Sequence, residues 1–327
     1  MTNDEQLEIM DWARSGDVHK IEDKLDHGLQ VNLQNSETGE SLLMASASSG
    51  NAPLVELLFR KGAKADLEDF RGRNALHYGC KYPKIGMTIA ARGASLTHAD
   101  VDTGSTALHL CAAEGHVFDD LMRDLNVAPD VYDSDGKTPL HYAAENGRVV
   151  ACQKLLKLGA NASAVVTGEM SLHYRKTPLH LAAMTIHGMD AMRALVESGA
   201  SLKALDAAGR LPLHDAASSG AAGNVLILCE AVGGVKGVNQ LDAEGFTPLH
   251  VACSGGKLGA VRALLAKGAL AETLTESGMD SFGLALEAGI VAESIVMFFS
   301  KNKQIMEGMN TLVYGDNEWR PIHLAAR

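Results

Sequence analysis

Aromatic side chains are scarce, at 5% of 327 residues with only 2 Trp, so a core built on large interlocking rings is excluded and small side chains must do the packing. Cysteine is also rare. The five residues Cys80, Cys111, Cys152, Cys229 and Cys253 are odd in number, far apart and without C-x-x-C spacing, which excludes a disulfide framework and a cysteine zinc site. They suit small core positions in a reducing compartment, the cytosol or the nucleus. Basic charge is in deficit: 29 Lys and Arg face 40 Asp and Glu, a formal charge of -11 that opposes DNA, RNA and acidic lipid over most of the surface. No run of 18 apolar residues occurs, and no apolar stretch follows basic charge at the N-terminus, so neither membrane insertion nor a signal peptide is expected.

Glycine is abundant instead, at 33 residues, and it accompanies a phrase that returns along the chain: Asn74-Ala-Leu-His77, Thr106-Ala-Leu-His109, Thr138-Pro-Leu-His141, Thr177-Pro-Leu-His180, Leu211-Pro-Leu-His214, Thr247-Pro-Leu-His250 and Arg320-Pro-Ile-His323. Ser41-Leu-Leu-Met44 and Asp280-Ser-Phe-Gly283 are weaker copies. The third position falls at 43, 76, 108, 140, 179, 213, 249, 282 and 322, so successive spacings are 33, 32, 32, 39, 34, 36, 33 and 40.

Inside one unit the local chemistry alternates turn, helix, turn, helix. Asp133-Ser-Asp-Gly136 is turn chemistry, Thr138 suits a helix N-cap, and Pro139 sits where the first helical N–H has no partner to lose. Asn146-Gly147 ends that short helix. A second, with Val149, Val150, Leu155 and Leu156 near helical spacing, closes at Gly159, and the same Gly-Ala stop recurs at Gly62, Gly93, Gly199 and Gly268. Paired alanines such as Ala143-Ala144 and Ala182-Ala183 allow close approach of neighbouring helices. A unit of this size cannot bury its own apolar face, so its stability must come from its neighbours.

The phrase and its period resemble the ankyrin repeat, and the resemblance covers residues 5 to 327. It implies an all-α repeat solenoid, an ankyrin array of helix-turn-helix units joined by β-hairpin turns. A single domain is expected over 1–327: an N-terminal cap about 5–35, repeats starting near 36, 69, 101, 133, 172, 206, 242 and 275, and a terminal half repeat about 315–327. The chain stops just after Ile322-His-Leu-Ala-Ala, one helix into a repeat. Either the chain is a fragment or that helix serves as its own cap.

Motifs that would carry chemistry are incomplete in this sequence. The regularly spaced histidines lack second ligands, and in the family this imidazole is a structural bridge between turns, so no metal is expected. Gly136-Lys137-Thr138 resembles the end of a phosphate loop, but Val131 stands where that loop needs Gly. Asp133-Ser-Asp135-Gly136 lacks the distal Glu of a calcium loop. Gly233-Gly-Val-Lys-Gly237 and Gly255-Gly-Lys-Leu-Gly259 follow no strand. No G-x-S-x-G elbow occurs. Catalytic residues and cofactors are therefore not expected.

In the resembled family partners sit on a concave face made of hairpin tips and first helices. Carried over by position, that face holds Phe70, Arg71, Arg73, Lys81 and Tyr82 in repeat two, His173, Tyr174, Arg175, Lys176 and Met184 in repeat five, and Arg210 and Phe246 beyond. Two readings of Phe70 and Tyr82 stand: interface anchors, or packing over a repeat shortened where Pro83 replaces the usual Gly. The long spacing of 39 places an insertion, Val165 to Tyr174, in the hairpin of repeat five, where such loops commonly bind. The expectation is a monomeric, non-enzymatic scaffold or adaptor for a protein or peptide, acidic or amphipathic to suit the gathered cations. The rival is the recognition arm of a larger enzyme or channel.

Overall fold

The computed structural model describes residues 3–302 and residue 305. The ninth phrase, Arg320 to His323, and the expected half repeat at 315–327 lie outside the described residues. Contacts divide the chain into two compact units, the first holding 1–143 and 150–160, the second 144–149 and 161–327.

The first unit is a stack of helix pairs. α1 (Asn3–Ser15) and α2 (Val18–Asp26) form the first pair, without a leading hairpin. Then come α3 (Leu42–Ser48) with α4 (Ala52–Arg60), α5 (Ala75–Gly79) with α6 (Pro83–Ala91), and α7 (Ala107–Glu114) with α8 (Asp119–Asp124). α9 (Pro139–Glu145) and α10 (Val149–Lys157) follow, except that Ala144 and Glu145 at the end of α9 and Val149 at the start of α10 fall in the second unit. Within this unit α3 packs on both α1 and α5. α5 ends after five residues at Gly79, and Pro83 stands at the first position of α6, where its missing N–H costs nothing.

The second unit continues with α11 (Pro178–Met184) and α12 (Met189–Glu197), α13 (Pro212–Ser219) and α14 (Ala222–Val232), the short α15 (Val235–Val238), and α16 (Pro248–Ser254) with α17 (Leu258–Ala266). Its last pair is α18 (Ser281–Glu287) and α19 (Glu293–Lys301), joined by a 3-10 turn at Gly289–Ala292. α18 forms although its phrase is degenerate, because Asp280 supplies the cap, its Oδ1 accepting from Gly283 N–H at 2.8 Å. Phe282 and Phe299 are fully buried edge-to-face at 5.8 Å, whereas Phe298 is half-buried beneath Arg262. Such a ring pair adds about 0.5–1.5 kcal/mol beyond its buried area.

The hairpins are minimal. Gln34–Ser41, Glu68–Asn74 and Ala99–Thr106 each make one antiparallel bridge. The tips then bond one another: Phe70 N–H donates to Thr38 C=O at 3.0 Å, Val101 to Arg71 at 2.9 Å and Ser134 to Thr103 at 2.9 Å. That close stacking explains one class of glycine. At Gly39 (φ +73°) and Gly104 (φ +68°) a Cβ would fall 2.8 Å from Phe70 N and 2.7 Å from Ser134 N, so a side chain would push the next hairpin away. The predicted helix stops at Gly62, Gly93, Gly159, Gly199 and Gly268 all take positive φ, the left-handed termination.

Candidate interaction surfaces

The polar groups most suggestive of chemistry are used inside the fold. In six of the repeats the phrase histidine accepts at Nδ1 from the N–H three residues earlier, for example Thr177 N–H to His180 at 3.1 Å, and in four of these rings the opposite nitrogen bridges onward. There it donates to a carbonyl of the next hairpin. His109 reaches Lys137 at 3.0 Å, His180 reaches Arg210 at 3.0 Å, His214 reaches Phe246 at 3.1 Å and His250 reaches Thr273 at 2.9 Å. Each ring is thus a neutral strut between repeats. Burial pushes these imidazoles below their ordinary pKa, His180 to about 4. The cysteines are buried free thiols, and burial raises Cys152 to about 12 and Cys229 to about 11, which disfavours the nucleophilic thiolate. Among the described residues no group of three or more His, Cys, Asp and Glu is placed to hold a metal, and no helix is long and apolar enough to cross a membrane.

In the first unit, Phe70, Arg71 and Arg73 converge on one hollow of about 400 Å³, faced across by Thr38 and Glu40 and floored by Tyr78. Phe70 crowns it at 67% exposure. Arg73 is committed inward: its guanidinium lies 2.8 Å from Asp69 Oδ2, donates to Tyr78 Oη at 2.6 Å and covers the Tyr78 ring at 4.7 Å. Burial alone would raise the Asp69 pKa, but hydrogen bonds from Tyr78 and Arg73 prevail and hold it below the ordinary value. Arg71 is exposed, with a loose 3.5 Å pair to Asp102. Lys81 is exposed too, outside the hollow. Tyr82 is half-buried with its ring seated on Gly50, where a Cβ would come within 2.6 Å, so it packs against the preceding repeat.

In the second unit the predicted insertion, Val165 to Tyr174, lies in an irregular segment over 165–176 with consecutive turns at 169–175. Ser171 N–H donates to Gly168, Tyr174 to Ser171 and Lys176 to His173, while Val166 and Arg175 are paired across its base. Arg175 holds φ +60°, unusual for a residue with a Cβ, and is exposed. His173 lies 3.3 Å from Glu145 Oε1, and Tyr174 is half-buried. Lys176 is not at the surface. Its ammonium is buried between Asp206 at 2.7 Å and Asp215 at 2.7 and 2.8 Å. Burial raises the Asp215 pKa despite that cation, whereas at Asp206 the Lys176 contact outweighs burial and lowers it. Arg210 is half-buried and pairs with Asp242 at 3.2 Å. Phe246 is half-buried edge-on to His250. Met184 remains exposed.

The structure adds surface residues that the reading of the phrase passed over. Val101, 72% exposed, is the residue of the next tip equivalent to Phe70, and aligning Asp69-Phe70 with Asp100-Val101 would have found it. Met170 and Leu172, 98% and 94% exposed, top the insertion, and Ile186 and Met189 stand on the turn between α11 and α12.

Comparison with known proteins agrees with this architecture. The profile described as ankyrin repeats in three copies matches residues 9–98 and 87–166, and the single ankyrin-repeat profile matches 174–207 and 244–273. Human transient receptor potential cation channel subfamily A member 1 is 32% identical over 212 residues, 62% of this chain and 18% of the channel. The E3 ubiquitin-protein ligase XBAT32 of Arabidopsis thaliana is 29% identical over 189 residues, 48% of this chain and 37% of the ligase. Neurogenic locus notch homolog protein 1 of Danio rerio is 30% identical over 172 residues, 51% of this chain and 7% of that protein. The chain therefore spans well under half the length of these relatives.

Proposed function

The chain belongs to the ankyrin-repeat family, whose repeats bind proteins, and from that premise we propose that it is a monomeric, non-enzymatic scaffold or adaptor that holds a protein or amphipathic peptide on its hairpin tips and first helices. One observation carries this reading. The imidazoles and Lys176 are spent on internal bonds, whereas large apolar side chains stand in water at chosen places, Phe70 and Val101 on adjacent tips of the first unit and Met170 and Leu172 on the insertion of the second. Leaving such groups exposed costs solvation free energy that burial against a partner recovers, at about 25 cal/mol per Å². Its cysteines, all free thiols, suit the cytosol or nucleus.

Site-specific photocrosslinking tests this directly. A benzophenone amino acid is placed at Phe70, at Leu172, and at the exposed Glu56 on α4 as a control, and irradiated in source cells. Protein-sized adducts are expected at Phe70 or Leu172 and not at Glu56. Adducts at neither position above the Glu56 level would refute the reading.

A second reading is favoured by coverage: two of the matched relatives are a channel and a ligase, of which this chain covers 18% and 37%. On that reading the repeats are the recognition arm of a larger protein, and the transcript beyond codon 327 decides between the two.

A further inference from the structure

We propose that the second unit carries a methionine-rich docking surface for a cationic amphipathic helix, formed by the 165–176 insertion together with the turn between α11 and α12; this rests on the protein-binding reading above. Glu145 brings the two stretches together. Its side chain lies 3.3 Å from His173 Nε2, and its backbone carbonyl accepts from Thr185 Oγ at 2.9 Å. Leu172 and Met184 are the immediate chain neighbours of those two contacts. Met170 and Leu172 on the one stretch and Met184, Ile186 and Met189 on the other are all exposed. The positions are built rather than frayed. The insertion closes on its own turn hydrogen bonds, Asn224 Nδ2 holds the Ala183 and Thr185 carbonyls at 3.1 and 2.9 Å, and Met189 Sδ rests on Gly223, where a Cβ would fall 2.4 Å away.

The chemistry of the surface selects its occupant. An extended peptide adds to a sheet through free edge groups, but Ser171, Tyr174, Arg175 and Lys176 already donate their N–H groups within the insertion, so recognition must run through side chains. Three unbranched thioethers beside Leu and Ile make a deformable apolar floor that accepts the apolar stripe of a helix. Carboxylates mark that floor: Glu169 is next to Met170, Asp190 next to Met189, and Glu145 lies between, against the cations Arg148 and Arg175. The basic residues that would have drawn an acidic partner are consumed inside, Lys176 by Asp206 and Asp215 and Arg210 by Asp242. With a formal charge of -11 over the whole chain, long-range steering favours a cation-bearing partner as well.

The test uses the full chain with methyl-labelled methionine and a Leu/Lys peptide of about 18 residues, roughly five helical turns, with Leu at i, i+3, i+4 and i+7. The methyl signals of Met170, Met184 and Met189 are expected to move on titration, and those of the buried Met10, Met44, Met122 and Met192 to stay. Leu172→Ser with Ile186→Ser is expected to weaken binding roughly tenfold or more while leaving the buried methyls in place. A Leu/Glu peptide of the same pattern should bind more weakly, and raising NaCl from about 0.05 to about 0.5 M should weaken the Leu/Lys peptide. The proposal is overturned if the Leu/Glu peptide binds as tightly, if a shuffled Leu/Lys peptide without an apolar stripe shifts the same methyls equally, or if the three methyls do not move. Immobile methyls alongside protein adducts at Leu172 would remove the cationic helix only, whereas immobile methyls with silent crosslinkers at both Phe70 and Leu172 would remove the protein-binding reading too.

Discussion

His109, His180, His214 and His250 each have one proton in one place. Nδ1 must stay bare to accept an N–H from its own helix start, and Nε2 must stay protonated to reach the next hairpin, so the imidazolium form forfeits a bond and leaves a charge in the interior. The folded pKa of His180, about 4, lies below the 6.5 of an unperturbed ring, so between those values the unfolded chain binds the proton and the folded chain does not. Stability therefore falls as pH drops through that window and is insensitive to this group above it. At about 1.4 kcal/mol per unit, His180 alone accounts for at most about 3–4 kcal/mol, and His109, His214 and His250, lowered by the same burial, add in the same direction. The urea midpoint of the protein is expected to fall between about pH 7 and about pH 5, and His180→Gln should be less stable at pH 7 but flatter across the window. A wild-type midpoint that holds steady over that range would contradict the strut assignment. The structural role of these histidines was legible from the sequence because position, spacing and the absence of second ligands all pointed one way.

At the scale of the element, the residue after the phrase histidine decides which cations are free. Tyr78 and Tyr142 occupy that place in two repeats, each donating to the hairpin aspartate nine positions earlier, Asp69 at 2.6 Å and Asp133 at 2.8 Å. Repeat six has Asp215 there instead, which sets a second carboxylate near Asp206 and draws Lys176 out of solvent. Lys176→Met leaves both carboxylates without their cation, and loss of one member of a buried ionic cluster costs about 3–5 kcal/mol. Adding Asp215→Leu, the residue type that repeat five carries at Leu181, should restore most of it. Chemical denaturation measures both, and a loss below about 1 kcal/mol for Lys176→Met would mean that water reaches the cluster. Here the sequence was legible in outline only. The spacing of 39 located the insertion, and the short α5 with Pro83 was visible in its letters, but Lys176 and Arg210 looked like surface cations because their acceptors lie 30 to 39 residues away. The exposure of Met170 and Leu172 was hidden for a similar reason: side-chain direction in a loop is set by its turn hydrogen bonds, which no periodicity encodes.

Within each unit, stacked helix pairs have no central core, and a defect should be felt by its neighbours rather than everywhere. α13 packs on α11, α14 and α16, which places the Lys176 cluster in the middle of the second unit, whereas α3 packs on α1, α4 and α5 in the first. The division of contacts into two units is not written in the repeat phrase, which continues from Thr138 to Thr177 with only a lengthened spacing. It gives the locality argument a reading by hydrogen exchange on the full chain. In Lys176→Met, amides of α11 and α13 should lose protection by the same free energy that denaturation records, while amides of α3, α4 and α5 keep theirs, because opening of the damaged pairs requires no opening of the first unit. Equal loss of protection in α3 and α13 would instead mean that the chain unfolds as one cooperative body, and the nearest-neighbour account of its stability would have to be abandoned.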